Sequence, residues 1–529
     1  MCVRNIVYIK IRAKLRKRVC SVKHLLVYSY LVNFTQKLIA LSTVGIVGSG
    51  IGGIAFAIRM QLLGHSVTVF EANERAGGKL GLLNLNGYRF DTGPSLFTMP
   101  QLVDELFELA GKNPRDYFNY ERLPEICNYF WDDQTRLKTV QDPAETAQMM
   151  ADALGEDAQN IHQYLIQAGE KYNIVSDLFL DDSLHKLRTW TSPKALRGYA
   201  NLHKLGLFQT MHQAHKSRFK NPKTVQLFDR YATYNGSDPY QTPATLSIIP
   251  HLEYNLGAYF PKGGMIEIPN SLVRLAKDLG VNFHLNEKVE KILTDGRKAT
   301  GIQTAMGNYE FDIIGCNSDI RPSYDNLLTN IERPTKLLSQ PKSSSGVIFY
   351  WGINRTFEEL GVHNIFFSKN YQAEFDAIFK ENTLFDDPTV YLHISSKVAR
   401  EDAPEGGENW FLLINAPANS GQDWDDLIQK CRQQVIAKIN RVLGIQLEDH
   451  LVAEDYLDPR RIESRTSSSG GALYGNSSNN KFAAFLRHPN YRPAIQNMYW
   501  FGGSVHPGGG IPLCLSSAKI AIKLFQENA

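Results

Sequence analysis

The chain has 529 residues, 57 Lys and Arg against 54 Asp and Glu, and a formal net charge of +3. Its length suggests about three domains, or two with one interrupted; 43% hydrophobic residues with 40 Gly and 23 Pro is the composition of a globular chain with large cores. This excludes collagen, a disordered chain and a disulfide scaffold, and no run reaches the roughly 18 apolar residues that a membrane span needs.

The near-neutral sum hides two lopsided tracts. Residues 1–43 hold nine basic residues and no acid, and residues 183–228 hold another nine, again with no acid. Elsewhere 39 basic residues face 54 acidic ones, so positive charge is concentrated. The six cysteines (Cys2, Cys20, Cys127, Cys316, Cys431 and Cys514) form no CxxC pair, which fits a reducing compartment.

In the first tract, the apolar stretch 25–34 has the length of a signal-peptide core, and Ala40-Leu41-Ser42 resembles a cleavage site behind an unusually long basic region. Two readings stand side by side: an extension outside the fold, or a membrane-surface or targeting segment. From Thr43 the pattern sharpens. The apolar run 44–47 leads into Gly48-Ser49-Gly50-Ile51-Gly52-Gly53, followed by Ile54, Ala55, Ile58 and Leu62 at helical spacing. Gly64 stops that helix, and 67–70 reads as a second strand closing on Glu71.

This βαβ unit is a dinucleotide site. Gly48 makes the tight turn, Gly50 lets a pyrophosphate approach the backbone, and Gly53 lets helix and strand pack closely. The helix start offers N–H groups and a positive dipole end to phosphates. Glu71, at the end of the second strand, is placed to accept the ribose hydroxyls.

Farther on, the spacing predicts a helix over 100–110, and helical patterns dominate to about residue 230, including the second basic tract. A Gly/Pro turn at 259–265 precedes a helix over 268–279, then short strands at 281–285, 289–293 and 301–304. Residues 345–352, 389–395 and 409–416 read as strands of a second sheet. Gly-rich turns and one final helix close the chain. Five glycines within 502–510 let backbone lie against a flat ring, and Pro512 begins a helix whose N-terminus suits a developing negative charge.

Three motifs carry a family resemblance. Glu71-Ala-Asn-Glu-Arg75-Ala-Gly77-Gly78-Lys79 resembles the second FAD motif of the flavoprotein amine oxidase and carotenoid desaturase superfamily. Phe90-Asp91-Thr92-Gly93-Pro94-Ser95 and the stretch Gly502-Gly503-Ser504-Val505-His506-Pro507-Gly508-Gly509-Gly510-Ile511-Pro512 resemble the bacterial phytoene-desaturase type, over about residues 43–526. Departures at Trp500, Val505 and Gly509, with Gly471–Gly475 and 484–490, resemble the 1-hydroxycarotenoid 3,4-desaturase branch.

The resemblance implies an α/β fold: a Rossmann-like FAD-binding domain (44–110, 245–320 and 455–529) interrupted by a mixed α+β substrate and membrane-contact domain (111–244 and 321–454). It implies FAD as cofactor, held by the 48–53 loop, Glu71, Arg75, Gly77, Gly78, Lys79, Gly93 and Pro94. Gly502, Gly503, Ser504, Gly510 and Ile511 complete the implied set. The implied activity is desaturation of an acyclic, 1-hydroxylated carotenoid by hydride transfer to the flavin, with a quinone or oxygen as electron acceptor. Phytoene desaturation and carotenoid cis–trans isomerisation are the alternatives. An amine oxidase fits less well, because its usual acidic C-terminal flavin motif is absent at Gly502-Gly503-Ser504.

Such chemistry needs position and dryness, and at most one base. His506 is a candidate base, with backbone support as its competing role; Glu253 and His251 are further candidates. No metal site is expected: His203, His212 and His215 lie on a basic amphipathic stretch and read as solvated. The second basic tract interleaves Trp190, Leu196, Tyr199, Leu202, Leu205, Leu207, Phe208 and Met211 with its cations. That suits a helical surface on anionic lipid, and equally a solvated face over a core. The expected protein is cytoplasmic, peripheral to the membrane from which it draws its substrate, and without a nucleic-acid partner.

Overall fold

The computed structural model describes residues 41–480, 482–483 and 487–528, so the readings placed on residues 1–40 fall outside it. Five parallel strands form one sheet in the order Met498–Trp500, Ile313–Cys316, Thr43–Val47, Ser66–Phe70, Asn282–His284. Parallel sheets must be covered on both faces. Helix Ile51–Leu62 is accordingly apolar almost all round, with nine of its twelve residues buried. It packs against helices Glu267–Asp278 and Ile511–Asn528. Phe56 stacks on Phe501 at 4.3 Å, fastening this helix to the C-terminal glycine motif.

A second sheet has seven strands: Leu451–Leu457, Ser345–Ile353, Glu408–Ala416, Val390–Ile394, His363–Phe366, Glu125–Phe130 and Arg136–Val140. It is antiparallel except where His363–Phe366 runs parallel to Glu125–Phe130. Every residue of Ser345–Ile353 is buried, so its uninterrupted apolar run reflects cover on both faces. Helix Trp424–Leu443 supplies one cover through Trp424, Ile428, Val435 and Ile439. A three-stranded antiparallel sheet (Val289–Asp295, Lys298–Thr304, Gly307–Glu310) completes the larger elements.

The chain is thus α/β, with a parallel sheet and an additional mixed sheet. One expectation needs correction. The stretch 111–230 is not continuously helical: Tyr120–Arg122, Glu125–Phe130 and Arg136–Val140 are strands. Ile126, Cys127, Tyr129 and Phe130 are buried on two different core faces, so their spacing shows no single apolar side. Helices follow at Pro143–Leu154 and Ala158–Phe179, each started by an aspartate (Asp142, Asp157) that accepts backbone N–H bonds.

Candidate active site

The strand Thr43–Val47 ends in the Gly48–Gly50 turn, and the turn is closed from three sides. The Gly48 N–H donates to the Phe70 carbonyl at 2.8 Å. A Cβ on Gly53 would collide with the Gly48 carbonyl oxygen, which is the close packing that the motif requires. Asn317, just beyond the strand Ile313–Cys316, accepts from the Gly53 N–H at 3.0 Å and donates to the Phe501 carbonyl at 3.0 Å. It ties both glycine motifs to one side chain. Sequence reasoning missed Asn317, for its only signal is a position after a short apolar strand.

Glu71 ends the next strand and is buried. One carboxylate oxygen accepts from Ser49 N–H and Oγ (2.9 and 2.7 Å), the other from Asn73 N–H and Nδ2 (3.0 and 2.7 Å). The Gly77 N–H donates to the Ser49 carbonyl at 2.9 Å, and a Cβ on Gly78 would stand 3.1 Å from Gly50 Cα. The second motif is therefore folded directly onto the first. Lys79 Nζ donates to the carbonyls of Ala472 and Leu473 (3.1 and 2.8 Å), and burial holds its ammonium below the usual lysine range. Arg75 differs from its expected role: its side chain is 63% exposed, pairs with exposed Glu74 and lies off the cavity wall, whereas Ala72 and Asn73 line it.

All this borders one cavity of about 1370 Å³. Gly48, Gly50, Ile51 and Gly52 line it at one end, with Glu71 and Gly77–Lys79 beside them. Gly93 and Pro94 join from a separate segment, and Gly503, Ser504, Gly510 and Ile511 from the C-terminal motif. Ser49, Gly53 and Gly502 stand behind the wall as supports. Ser504 Oγ accepts from Ile320 N–H at 3.0 Å, and Gly502 N–H donates to Ser517 Oγ at 3.2 Å. Arg487 donates to the carbonyls of Tyr474 and Asn476 (3.0 and 3.1 Å), and burial pushes its guanidinium down to about 10. With Lys79 it puts two buried cations on this wall, close to the start of helix Ile511–Asn528.

A side-chain-free glycine cradle, a helix start with no side-chain cap at Gly50, and flanking cations fit FAD: the N–H groups at the helix start would hold its pyrophosphate, and Lys79 and Arg487 would favour negative charge on its ring.

His506 is not a base in this arrangement. It is fully buried off the cavity wall, its Nε2 meets the Asp182 carbonyl at 3.0 Å, and burial lowers it to about 3. Its carbonyl accepts from Asn490 Nδ2 and Ser517 Oγ (2.9 and 2.7 Å), so it braces the glycine motif. His212 and His215 also differ from expectation. Both bind the carboxylate of Asp229 (2.6 and 2.7 Å), and buried His215 also meets the Tyr164 hydroxyl, while His203 stays at the surface. Among the described residues no group of three His, Cys, Asp or Glu could hold a metal. His251 bonds Asn255 at 2.8 Å, off the cavity. Glu253 lines the cavity but is spoken for by Arg230 (3.1 Å), Tyr231 (2.5 Å) and Tyr234.

From the glycine end the cavity runs between apolar walls to a rim formed by Tyr199, Leu202, Leu207 and Phe208. Phe208 is 93% exposed; Leu187 and Leu196, on the neighbouring short helices, are 81% and 61% exposed. Leu205 and Met211 face inward instead. Of the basic residues in this tract, Lys186, Arg188, Lys194 and Lys223 pair with carboxylates, whereas Arg197, Lys204, Lys216 and Lys220 are exposed. Among the described residues no helix is long and apolar enough to cross a membrane.

The flavin containing amine oxidoreductase family model matches residues 51–521. A 1-hydroxycarotenoid 3,4-desaturase from Flavobacterium sp. (strain P99-3) is 49% identical over 483 residues, covering 91% of this chain and 99% of the relative. A 4,4'-diaponeurosporene oxygenase from Staphylococcus aureus (strain MSSA476) is 32% identical over 493 residues, covering 92% and 98%. Among solved structures, an oxidoreductase from Methanosarcina mazei shares the fold at a TM-score of 0.60 and 12% identity, covering 91% of this chain and 100% of that one.

Proposed function

The chain belongs to the flavin-containing amine oxidoreductase family, and from that premise we propose that it is an FAD-dependent desaturase of an acyclic, 1-hydroxylated carotenoid, introducing the 3,4 double bond. The observation that carries this reading is the single cavity of about 1370 Å³ joining the glycine cradle to an apolar, surface-exposed rim. Its volume and walls suit a long hydrocarbon reached end-on rather than a small amine. The 49% identity to a 1-hydroxycarotenoid 3,4-desaturase points to the same substrate class.

Bound FAD supplies the hydride acceptor. The residues of this chain supply position and dryness: Ile126, Ile249 and Leu252 confine the polyene and exclude water. Lys79 and Arg487 favour negative charge at the flavin end. The cavity rim, with Leu187, Leu196 and the exposed cations Arg197 and Lys204, is the proposed contact with an anionic bilayer that delivers the substrate. A quinone or oxygen is the proposed final electron acceptor. The proposed division assigns 44–110, 245–320 and 455–529 to cofactor binding and 111–244 and 321–454 to the substrate and membrane, with Ile249 and Leu252 of the first group also walling the substrate.

Expression in a host that accumulates 1-hydroxylated acyclic carotenoids, followed by chromatography of the pigments, tests this. A product with one more conjugated double bond supports it. Conversion of phytoene alone, or a change of double-bond geometry without oxidation, would replace it with the phytoene desaturase or isomerase reading.

A further inference from the structure

One corner of the substrate cavity is polar although its surroundings are not. Arg230, Glu253, His363, Tyr391 and Ser95 line it among Ile126, Ile249, Leu252 and Ile365. Most of its polar atoms satisfy one another. Arg230 Nη2 donates to Tyr129 Oη, Tyr231 Oη and Glu253 Oε2 (2.8, 3.1 and 3.1 Å). Ser95 Oγ lies 2.8 Å from Tyr391 Oη, which lies 2.8 Å from His363 Nδ1.

Two atoms remain without a hydrogen-bond partner: Arg230 Nε and His363 Nε2, both fully buried. Leaving such groups unpaired costs roughly 1–3 kcal/mol each, so their retention inside an apolar tunnel asks for a ligand. Arg230 Nε–H only donates. His363 is neutral, because burial and the neighbouring His393 and Arg230 hold it well below the usual histidine range. Its Nδ1 is engaged by Tyr391 at 2.8 Å, which leaves Nε2 as the ring nitrogen open to a ligand. A hydroxyl can accept from Arg230 Nε–H and can either donate to His363 Nε2 or accept from it, so it satisfies both atoms with either tautomer of the ring.

The position is also right. In a 1-hydroxylated chain the oxygen is four bonds from C4, on the order of 5 Å, so a hydroxyl anchor for 3,4-desaturation must lie beside the flavin. Ser95 directly follows the Gly93–Pro94 turn on the cofactor wall, and the bonds through Tyr391 carry that turn to His363. We propose that Arg230 Nε and His363 Nε2 form the socket for the substrate's terminal hydroxyl, fixing C3 and C4 over the reacting face. This rests on the desaturase reading above.

The test uses the purified holoenzyme with a 1-hydroxy acyclic carotenoid, the same chain lacking the hydroxyl, and the methyl ether. The wild type should prefer the alcohol to both analogues, since the unhydroxylated chain pairs neither atom and the methyl group of the ether takes up the room that a socket closed around a hydroxyl lacks. His363→Leu should lower kcat/KM for the alcohol by about 10- to 100-fold and abolish its preference over the unhydroxylated chain. His363→Gln, whose amide reaches the Nε2 position, should recover much of the preference, and Arg230→Lys, which keeps a cation for Glu253 but lacks Nε, should lose it. Equal losses on all three substrates at unchanged flavin content, or a wild type indifferent to the hydroxyl, would overturn the socket while leaving the desaturase reading intact. A flavin-loaded wild type that converts no carotenoid at all would overturn that reading and the socket with it.

Discussion

At the scale of single residues, the cofactor end is governed by close approach. Gly53 leaves no room for a methyl group, since its neighbour is a backbone carbonyl that cannot rotate away. Gly53→Ala should therefore separate helix Ile51–Leu62 from the turn and yield a protein that retains no flavin, whereas most exposed alanine substitutions change stability by under about 0.5 kcal/mol. Glu71 works differently. Its carboxylate satisfies four donors from Ser49 and Asn73, so it holds the shape of the loop as well as facing the cavity. Glu71→Ala leaves those donors to find other partners, a cost of roughly 1–3 kcal/mol. We expect weaker flavin retention, by about tenfold or more, read as the ratio of flavin to protein absorbance after gel filtration. Unchanged occupancy would remove Glu71 from the cofactor site. Both residues were legible in the sequence because the motif is local and each glycine has its own steric task. Asn317 was not legible, since 264 residues separate it from Gly53, and the Arg230–His363 corner was not, since only the fold brings Arg230 to Tyr129, 101 residues away, and sets Arg230 beside His363 on one cavity.

Secondary-structure elements divide the same way. The βαβ unit, helix Glu267–Asp278 and strands Ser345–Ile353, Val390–Ile394 and Glu408–Ala416 follow from periodicity and glycine stops. The strand Glu125–Phe130 does not, because it lies between two cores, and Arg136–Val140 does not, because its one buried face holds only Leu137 and Thr139, too short an alternation to stand out. The basic tract shows the limit of composition. Its cations are split between ion pairs and solvent, and its apolar residues between interior and rim, which sequence alone cannot sort. The helices Leu187–Trp190 and Pro193–Ala200 carry Leu187 and Leu196 outward and off the cavity wall. Burying a leucine in lipid is worth about 1.5–3 kcal/mol. The double variant Leu187→Ser with Leu196→Ser should bind anionic vesicles at least about tenfold more weakly in flotation assays, with flavin content and turnover of detergent-dispersed substrate preserved. Equal flotation of both proteins would assign the bilayer contact elsewhere.

Across the whole molecule, pH acts through buried histidines more than through the net charge. Burial lowers His393 and His506 to about 3 and holds His363 and His488 well below the usual range. In the unfolded chain each titrates near 6.5. Below that value the unfolded state binds protons that the folded state refuses, so the stability these neutral rings contribute is complete above 6.5 and is lost as pH falls. Glu374 opposes them. Burial raises its carboxyl to about 7, so the folded state holds a proton that the unfolded chain has released, and stability is gained as pH falls from about 7 toward 4.5. As pH falls below 6.5 each of these rings adds up to one proton to the difference, about 1.4 kcal/mol per pH unit, and Glu374 subtracts from it. Stability should therefore fall as pH drops below 6.5, and fall more steeply toward pH 5 as the unfolded rings fill. Two substitutions off the cavity wall separate the contributions in denaturant titrations across this range. His393→Phe, beside Phe260 and Phe411, should make the slope shallower by one proton. Glu374→Gln, which keeps partners for Thr389, should make it steeper and should stabilise the protein at pH 8, where the wild type pays for a buried charge. If both variants keep the wild-type slope, acid sensitivity arises from surface carboxylates instead, and the buried histidines are not its source.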